Sequence, residues 1–451
     1  MPPLADPDAP LLEKALRAAR DTRRVVLGED VLGLAPGCFA EAFGPATAVV
    51  VADPNTFEAA GRGVAAAFRD AGIPLAETFV FGRDVYAGSE DVERLEAGLR
   101  GVEAVPVAVG SGTINDLTKL ASHRLGRPYM AVATAASMDG YTAFGASITH
   151  QGSKQTFDCP APRAVVADLA VIGGAPSPMN AWGYADLLAK NVAGADWILA
   201  DAAGVEPIDP GVWETVQGRL RAWTGDPAGV ASNRAESLRG LASGLLMSGF
   251  AMQAHKTSRP ASGADHQFSH LWDMQHHEFQ GAAPSHGFKV GIGTLASVAL
   301  HEDLLARDLQ NADVDRAVDA WPAFDAVERR IVEVFGPGPL AEKSVAETRA
   351  KHPSRDELHG QLVRLRDAWP SLRERLSRHL IPFAEVRSML RAAGCPDRPE
   401  QIGIPLDRLR SSFEQAYYIR RRFTVLDVAR RFGVFDEAIQ NLFGSAGPFR
   451  G

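Results

Sequence analysis

The feature that most constrains this chain is a change in the period of its apolar residues near residue 175. From about residue 23 to residue 172, short apolar runs rich in valine alternate with amphipathic stretches; the runs at 46–52, 77–82 and 104–110 and the stretch at 55–71 are examples. Strand-length runs separated by helix-length stretches predict a mostly parallel sheet covered by helices. After Pro178 the segments lengthen, valine thins out and apolar residues recur at helical spacing, as at 237–254 and 291–305. This second part is predicted to be all helical. Glycines and prolines at 173–178 mark the break, so the expected division is an α/β domain over 1–175 and an all-α domain over 176–451.

Length and composition narrow the class. A chain of 451 residues suits two or three domains, and 46% hydrophobic with 23% charged residues is enough to bury large cores. The formal net charge of -8 gives no general attraction to nucleic acid or to an anionic membrane. A phosphate-bearing ligand therefore needs a local basic pocket. Residues 1–10 carry acids and prolines rather than the basic and then apolar order of a secretory signal, and no later stretch is long enough to span a bilayer. Cys38, Cys159 and Cys395 lie far apart, which argues against a disulfide scaffold or a cysteine zinc site and for a reducing, cytoplasmic compartment. The arginine-rich segments at 355–391 and the short helix expected at 423–432 are read as solvated faces of packed helices.

Two places carry chemistry. In Val105-Pro-Val-Ala-Val-Gly110-Ser111-Gly112-Thr113-Ile114-Asn115-Asp116 an apolar strand runs into glycines and then a helix. Backbone N–H groups and the helix dipole can hold a pyrophosphate at such a turn, and glycine permits the close approach. Asn115 stands where a G-x-G-x-x-G fingerprint needs its third glycine, so a strand-to-helix turn with no ligand fits equally well from these residues alone. Asp53 ends the earlier strand Val49-Val50-Val51-Ala52; a carboxylate there can accept from ribose hydroxyls or simply form a turn.

The second place is a cluster of histidines. Six of the twelve, His255, His266, His270, His276, His277 and His286, fall within residues 255–286, a sign of metal or proton-transfer chemistry. His266 and His270 are four apart in a helix-like run and project from one face, which permits shared ligation or one ligand beside one acid/base group. His255, His276 and His277 are read as ordinary hydrogen-bonded residues. His286 opens a new apolar segment, and the residues alone do not choose its partners.

Five successive motifs, Gly110-Ser-Gly-Thr-Ile-Asn-Asp116, Thr134-Ala-Ala-Ser-Met-Asp-Gly-Tyr141, Gly183-Tyr-Ala-Asp-Leu-Leu-Ala-Lys190, Arg259-Pro-Ala-Ser-Gly-Ala-Asp-His266 and Ser285-His-Gly-Phe-Lys-Val-Gly291, resemble those of the sn-glycerol-1-phosphate dehydrogenases. That family stands among the iron-type alcohol dehydrogenases, glycerol dehydrogenases and dehydroquinate synthases. The resemblance covers roughly residues 23–310 and is weak over 310–451. It implies an N-terminal nucleotide-binding domain and a C-terminal metal- and substrate-binding domain. Asp186, His266 and His286 would hold one divalent ion, zinc, nickel or iron, with a position left open for substrate oxygen. Taken alone, Asp186 could instead be a helix cap.

By the same resemblance, Asp53, Gly110, Ser111, Gly112, Thr113 and Ile114 would hold the adenosine and pyrophosphate of NAD or NADP, and Thr134, Ala135 and Ser137 its nicotinamide side. Asp139 and His270 would contact substrate hydroxyls, with His270 relaying a proton. Ala143 stands where many relatives have a serine that touches the cofactor. Arg259 and Lys289 are the candidates for a phosphate grip. The expected reaction is reduction of dihydroxyacetone phosphate to sn-glycerol 1-phosphate, with glycerol dehydrogenase, another polyol dehydrogenase, a dehydroquinate-synthase-like cyclase and a non-catalytic homologue as alternatives. The expected partners are a small phosphorylated ketone or polyol and further copies of the chain, as a dimer, with no nucleic acid and no membrane.

Overall fold

In the computed structural model, residues 8–150 and 153–450 are described, apart from the side chains of residues 153 and 154. Residues 1–7 of the acidic, proline-bearing start lie outside them. The chain forms two compact units, one made of residues 1–187, 214–260 and 392–394 and the other of residues 188–213, 261–391 and 395–451.

The first unit is built on six parallel strands: β1 (Arg24–Gly28), β2 (Ala48–Ala52), β3 (Phe79–Val80), β4 (Val105–Gly110), β5 (Met130–Ala133) and, after the hairpin β6 (Ala146–His150) and β7 (Ser153–Phe157), β8 (Ala164–Asp168). Their order across the sheet is β1-β8-β5-β4-β2-β3. Every residue of β2, β5 and β8 is buried, as expected of inner parallel strands covered on both faces, and this is why they read as unbroken apolar runs instead of alternating ones. Phe39 and Phe68, both fully buried and edge to face at 5.2 Å, anchor the helices Ala35–Phe43 and Arg62–Asp70 on the sheet.

The strand order creates the place for a ligand. From β2 the chain steps outward to β3; β4 then returns to the other side of β2, and the sheet grows through β5 and β8 to β1. The reversal leaves a crevice at the carboxyl ends of β2 and β4, where open α/β sheets bind their ligands. Asp53 follows β2 and Gly110 ends β4.

The change of apolar period at 173–178 does not coincide with the border of the compact units. The long helix Ala235–His255 lies beyond the change yet packs against β1 and the helices Ala9–Ala18 and Leu169–Gly173. Gln253 at its end donates to Thr22 Oγ1 at 3.1 Å and to the carbonyl of Thr142 at 2.9 Å. A helix that covers one face of a sheet is part of the sheet's core whatever its own period.

Among its described residues, the regular elements of the second unit are all helices. The helices Ala264–Met274 and His286–Leu305 form its most intimate pair. The helix Leu406–Tyr418 lies on the first of them, with Phe413 edge to face on Phe268 at 4.9 Å and Trp272 Nε1 donating to Ser412 Oγ at 3.0 Å. The arginine-rich stretch expected at 355–391 forms two helices, Arg355–His379 and Phe383–Ala392. Leu358, Leu362, Leu365, Trp369, Leu372 and Leu376 make the buried stripe of the longer one, and its arginines occupy the remaining faces. No helix among the described residues is long and apolar enough to cross a membrane.

Candidate active site

At the crevice of the first unit the helix Gly112–Arg124 starts directly after β4. Its N-cap, Ser111, makes no side-chain capping bond, so the amides of the first turn are not taken by a cap. A Cβ on Gly110 would lie 2.5 Å from Ile114 Cβ, so glycine is what lets this helix close down on the strand end. Asp53 does two things. Its Oδ1 accepts from the amides of Asn55 at 2.8 Å and Thr56 at 3.0 Å, capping the helix that starts at Pro54, while Oδ2 has no hydrogen-bond donor among the described residues. The turn-forming role is therefore real and leaves one carboxylate oxygen over.

The segment after β5 runs alongside. Thr134 donates its amide to the Gly110 carbonyl at 3.2 Å, and the Tyr141 hydroxyl donates to the carbonyls of Gly110 and Ala135 at 3.3 and 2.9 Å. Burial pushes the Tyr141 hydroxyl well above the usual tyrosine range, so it stays a donor. Asn180 Oδ1 accepts from Ala136 N at 3.2 Å, tying this segment to the helix Ser177–Leu188. That helix sits so close that a Cβ on Gly183 would fall 1.8 Å from the Ala136 carbonyl oxygen. Asp186, one turn later, is buried inside the helix and not at its cap.

Asp139 is held within the first unit both directly and through the loop that follows it. Its amide donates to Asp186 Oδ2 at 3.2 Å and its own Oδ2 accepts from Ser248 Oγ at 2.9 Å. The fully buried Lys119 ammonium donates to the carbonyls of Gly140, Ala143 and Gly145 at 2.9 to 3.0 Å and so holds the loop that follows. Ala143 contributes its carbonyl to this clamp. Lys119 and Ser248 were invisible as site residues in the sequence; for Lys119 the available signal was a lysine two turns into the helix after the glycine turn.

The second unit gathers three of the clustered histidines. Ring centroids lie 5.3 Å apart for His266 and His286, 6.0 Å for His266 and His270 and 6.1 Å for His270 and His286. His266 Nδ1 bonds the carboxylate of Asp265, and His286 Nδ1 lies 3.4 Å from Ser269 Oγ. A Cβ on Gly293 would meet the Asp265 carbonyl oxygen at 2.2 Å, which is how the two histidine-bearing helices come close enough. The other three histidines are apart from this group in their bonding. His277 Nε2 donates to the Ile402 carbonyl at 2.7 Å while its Nδ1 accepts from Arg408 at 2.8 Å; His255 bonds Thr257 Oγ1; His276 occupies a left-handed turn with φ 51°. Lys289 is buried and paired with Asp273, and Arg259 is fully buried.

The sequence profile of the iron-containing alcohol dehydrogenases matches residues 26–176. A glycerol-1-phosphate dehydrogenase (NAD(P)+) of Halalkalibacterium halodurans is 36% identical over 257 residues, 56% of this chain and 64% of that protein. Its counterpart from Geobacillus stearothermophilus is 30% identical over 382 residues, 84% of this chain and 85% of that protein. The chain belongs to the glycerol-1-phosphate dehydrogenase family. The first of these matches thus spans just under two thirds of its relative's length. The family places the chain among NAD(P)-linked oxidoreductases. Among solved structures, glycerol dehydrogenase from Schizosaccharomyces pombe shares the fold, with a TM-score of 0.59 at 16% identity over 93% of this chain and 90% of that one.

Proposed function

We propose that this protein reduces dihydroxyacetone phosphate to sn-glycerol 1-phosphate with NAD(P)H, as a cytoplasmic homo-oligomer, and that Asp186, His266 and His286 hold one divalent cation. The observation that carries the reading is the donor set. Asp186 offers a buried carboxylate oxygen, and the two histidines offer imidazole nitrogens. Each ring already has its Nδ1 engaged within the second unit, by Asp265 and by Ser269, so Nε2 is the nitrogen each would present. One carboxylate and two imidazoles suit zinc, nickel or iron. Such a cation, when bound, supplies a Lewis acid for the ketone carbonyl, and the nicotinamide supplies hydride.

The chain's own residues do the rest. The first-turn amides at Gly112, Thr113 and Ile114, with Gly110 and Ser111, receive the pyrophosphate, and Asp53 Oδ2 accepts from a ribose hydroxyl. Thr134, Ala135 and Ser137 border the nicotinamide. Asp139, steadied by Ser248, orients the substrate hydroxyls; His270 passes a proton to the oxygen that the hydride transfer leaves negative. Arg259 and Lys289 are the cations proposed for the phosphate, Lys289 sharing its ammonium with Asp273.

The test follows NADH and NADPH oxidation with dihydroxyacetone phosphate and with dihydroxyacetone, together with the chirality of the product. A charge-assisted phosphate contact is worth about 1.5–3 kcal/mol, so the phosphorylated ketone should win by at least about tenfold in kcat/KM. Equal rates with the two ketones would move the protein toward glycerol dehydrogenase chemistry. His266→Ala and His286→Ala should each lose most bound metal and nearly all turnover, while His276→Ala keeps both; full metal content in either ligand variant would refute the site.

A further inference from the structure

Asp265 has no part in the reaction described above, yet it is a fully buried carboxylate immediately before a proposed cation ligand. Burying an ionised carboxylate is costly unless hydrogen bonds offset its lost hydration. Among the described residues its carboxylate has two hydrogen-bond partners. Oδ1 accepts the Gly263 amide at 3.0 Å, and Oδ2 is bonded to His266 Nδ1. Its backbone is fixed as well, because its carbonyl oxygen lies where a Cβ of Gly293 would stand. Asp196 Oδ2 accepts the neighbouring Ala264 amide at 2.7 Å and completes a rigid first turn for this helix.

In a bond between a carboxylate oxygen and a ring nitrogen the ring N–H donates and the oxygen accepts, so the proton of this bond is that of His266 Nδ1. We propose that Asp265 is a positioning residue for the cation: by accepting the Nδ1 proton it fixes His266 as the neutral tautomer whose lone pair is on Nε2, and it holds the ring in the orientation for ligation. The carboxylate also makes the imidazole a stronger donor toward a positive ion, as outer hydrogen bonds to ligating histidines do. His286 Nδ1 faces the Ser269 hydroxyl at 3.4 Å. This inference rests on the proposed cation reading, and the experiment separates the two.

Zn2+ affinity of metal-stripped protein is measured by chelator competition for the wild type, Asp265→Asn, Asp265→Ala and His266→Ala, and ring 15N shifts report the His266 tautomer in the metal-free wild type. Asparagine keeps an acceptor for the Gly263 amide but places an NH2 against Nδ1, so it tests the tautomer with little change of shape. Both Asp265 variants should bind Zn2+ about 10–100-fold more weakly, and the wild-type spectrum should show the proton on Nδ1. Wild-type affinity in Asp265→Asn alongside a weakened His266→Ala would overturn the role of Asp265 and leave the cation reading standing. Unchanged affinity in His266→Ala would overturn the cation reading itself. If Asp265→Ala does not fold, Asp265→Asn and the wild-type spectrum decide alone; a proton on Nε2 in that spectrum also defeats the proposal.

Discussion

Asp53 and Asp168 are both acids that close a buried strand, and only their surroundings tell them apart. Asp168 spends both oxygens on backbone amides, accepting from Ala170 and Asp30 at Oδ1 and from Leu32 at Oδ2. Asp53 caps a helix through Oδ1 alone. If Oδ2 reads the ribose, a 2′-phosphate there meets a negative charge, and NAD(H) should bind more tightly than NADP(H). Asp53→Ser separates the two roles, since serine caps a helix nearly as well as aspartate and carries no charge. Titrating both cofactors should show the preference narrowing in Asp53→Ser with little change in urea midpoint, whereas Asp53→Ala should also lose about 0.5–2 kcal/mol of stability. Equal affinities in the wild type would dismiss the ribose reading. Asp53 was legible because a strand-ending acid has a short-range signature. The bonding of His277 was not: its partners Ile402 and Arg408 are more than a hundred residues away in sequence, and no local pattern announces them.

At the scale of elements, the strands at 48–52 and 105–110 and the helices at 235–255 and 286–305 were readable from period alone. The hairpin at 146–157 was not, because its short polar strands carry no apolar run. Equally hidden were the close approaches that seat the site. Gly183 lets the Asp186 helix rest on the Ala136 carbonyl, and Gly293 lets the His286 helix rest on that of Asp265. In the sequence they are two glycines among 43. An added methyl cannot fit at either place without moving backbone, so Gly183→Ala and Gly293→Ala should each cost about 1–3 kcal/mol in urea unfolding. Their functional effects should differ. Gly183→Ala disturbs the segment assigned to the nicotinamide and should raise the KM for the cofactor; Gly293→Ala separates the histidine helices and should lower metal content. A variant with wild-type stability and unchanged KM or metal content would show that the contact is not limiting.

For the molecule as a whole, the part least legible in the sequence was the region after residue 310, which the structure makes integral to the second unit. Its helix Leu406–Tyr418 is packed on the helix that bears His266 and His270, through Phe413, Ser412 and Gln415. His277, just beyond that helix, ties it to the same region through Ile402 and Arg408. Burial and the neighbouring Arg408 guanidinium hold His277 below its usual 6.5, so the native ring is neutral where a free histidine would be charged. As pH falls below 6.5 the unfolded chain takes up a proton that the native ring still refuses, and stability falls until the native pKa is reached. Glutamine at this position can still donate to the Ile402 carbonyl but cannot titrate. Urea unfolding between about pH 7 and pH 5 should therefore show the wild type losing stability relative to His277→Gln as the solution is acidified, with their difference constant above the usual histidine range. A difference that does not change with pH would mean that His277 is protonated as readily in the folded protein as in the unfolded one, and that Arg408 does not donate to it. Because this staple joins the late region to the loop after the histidine helix, the same acidification should loosen the second unit first, read as faster amide exchange in Leu406–Tyr418 than in the inner strands of the sheet.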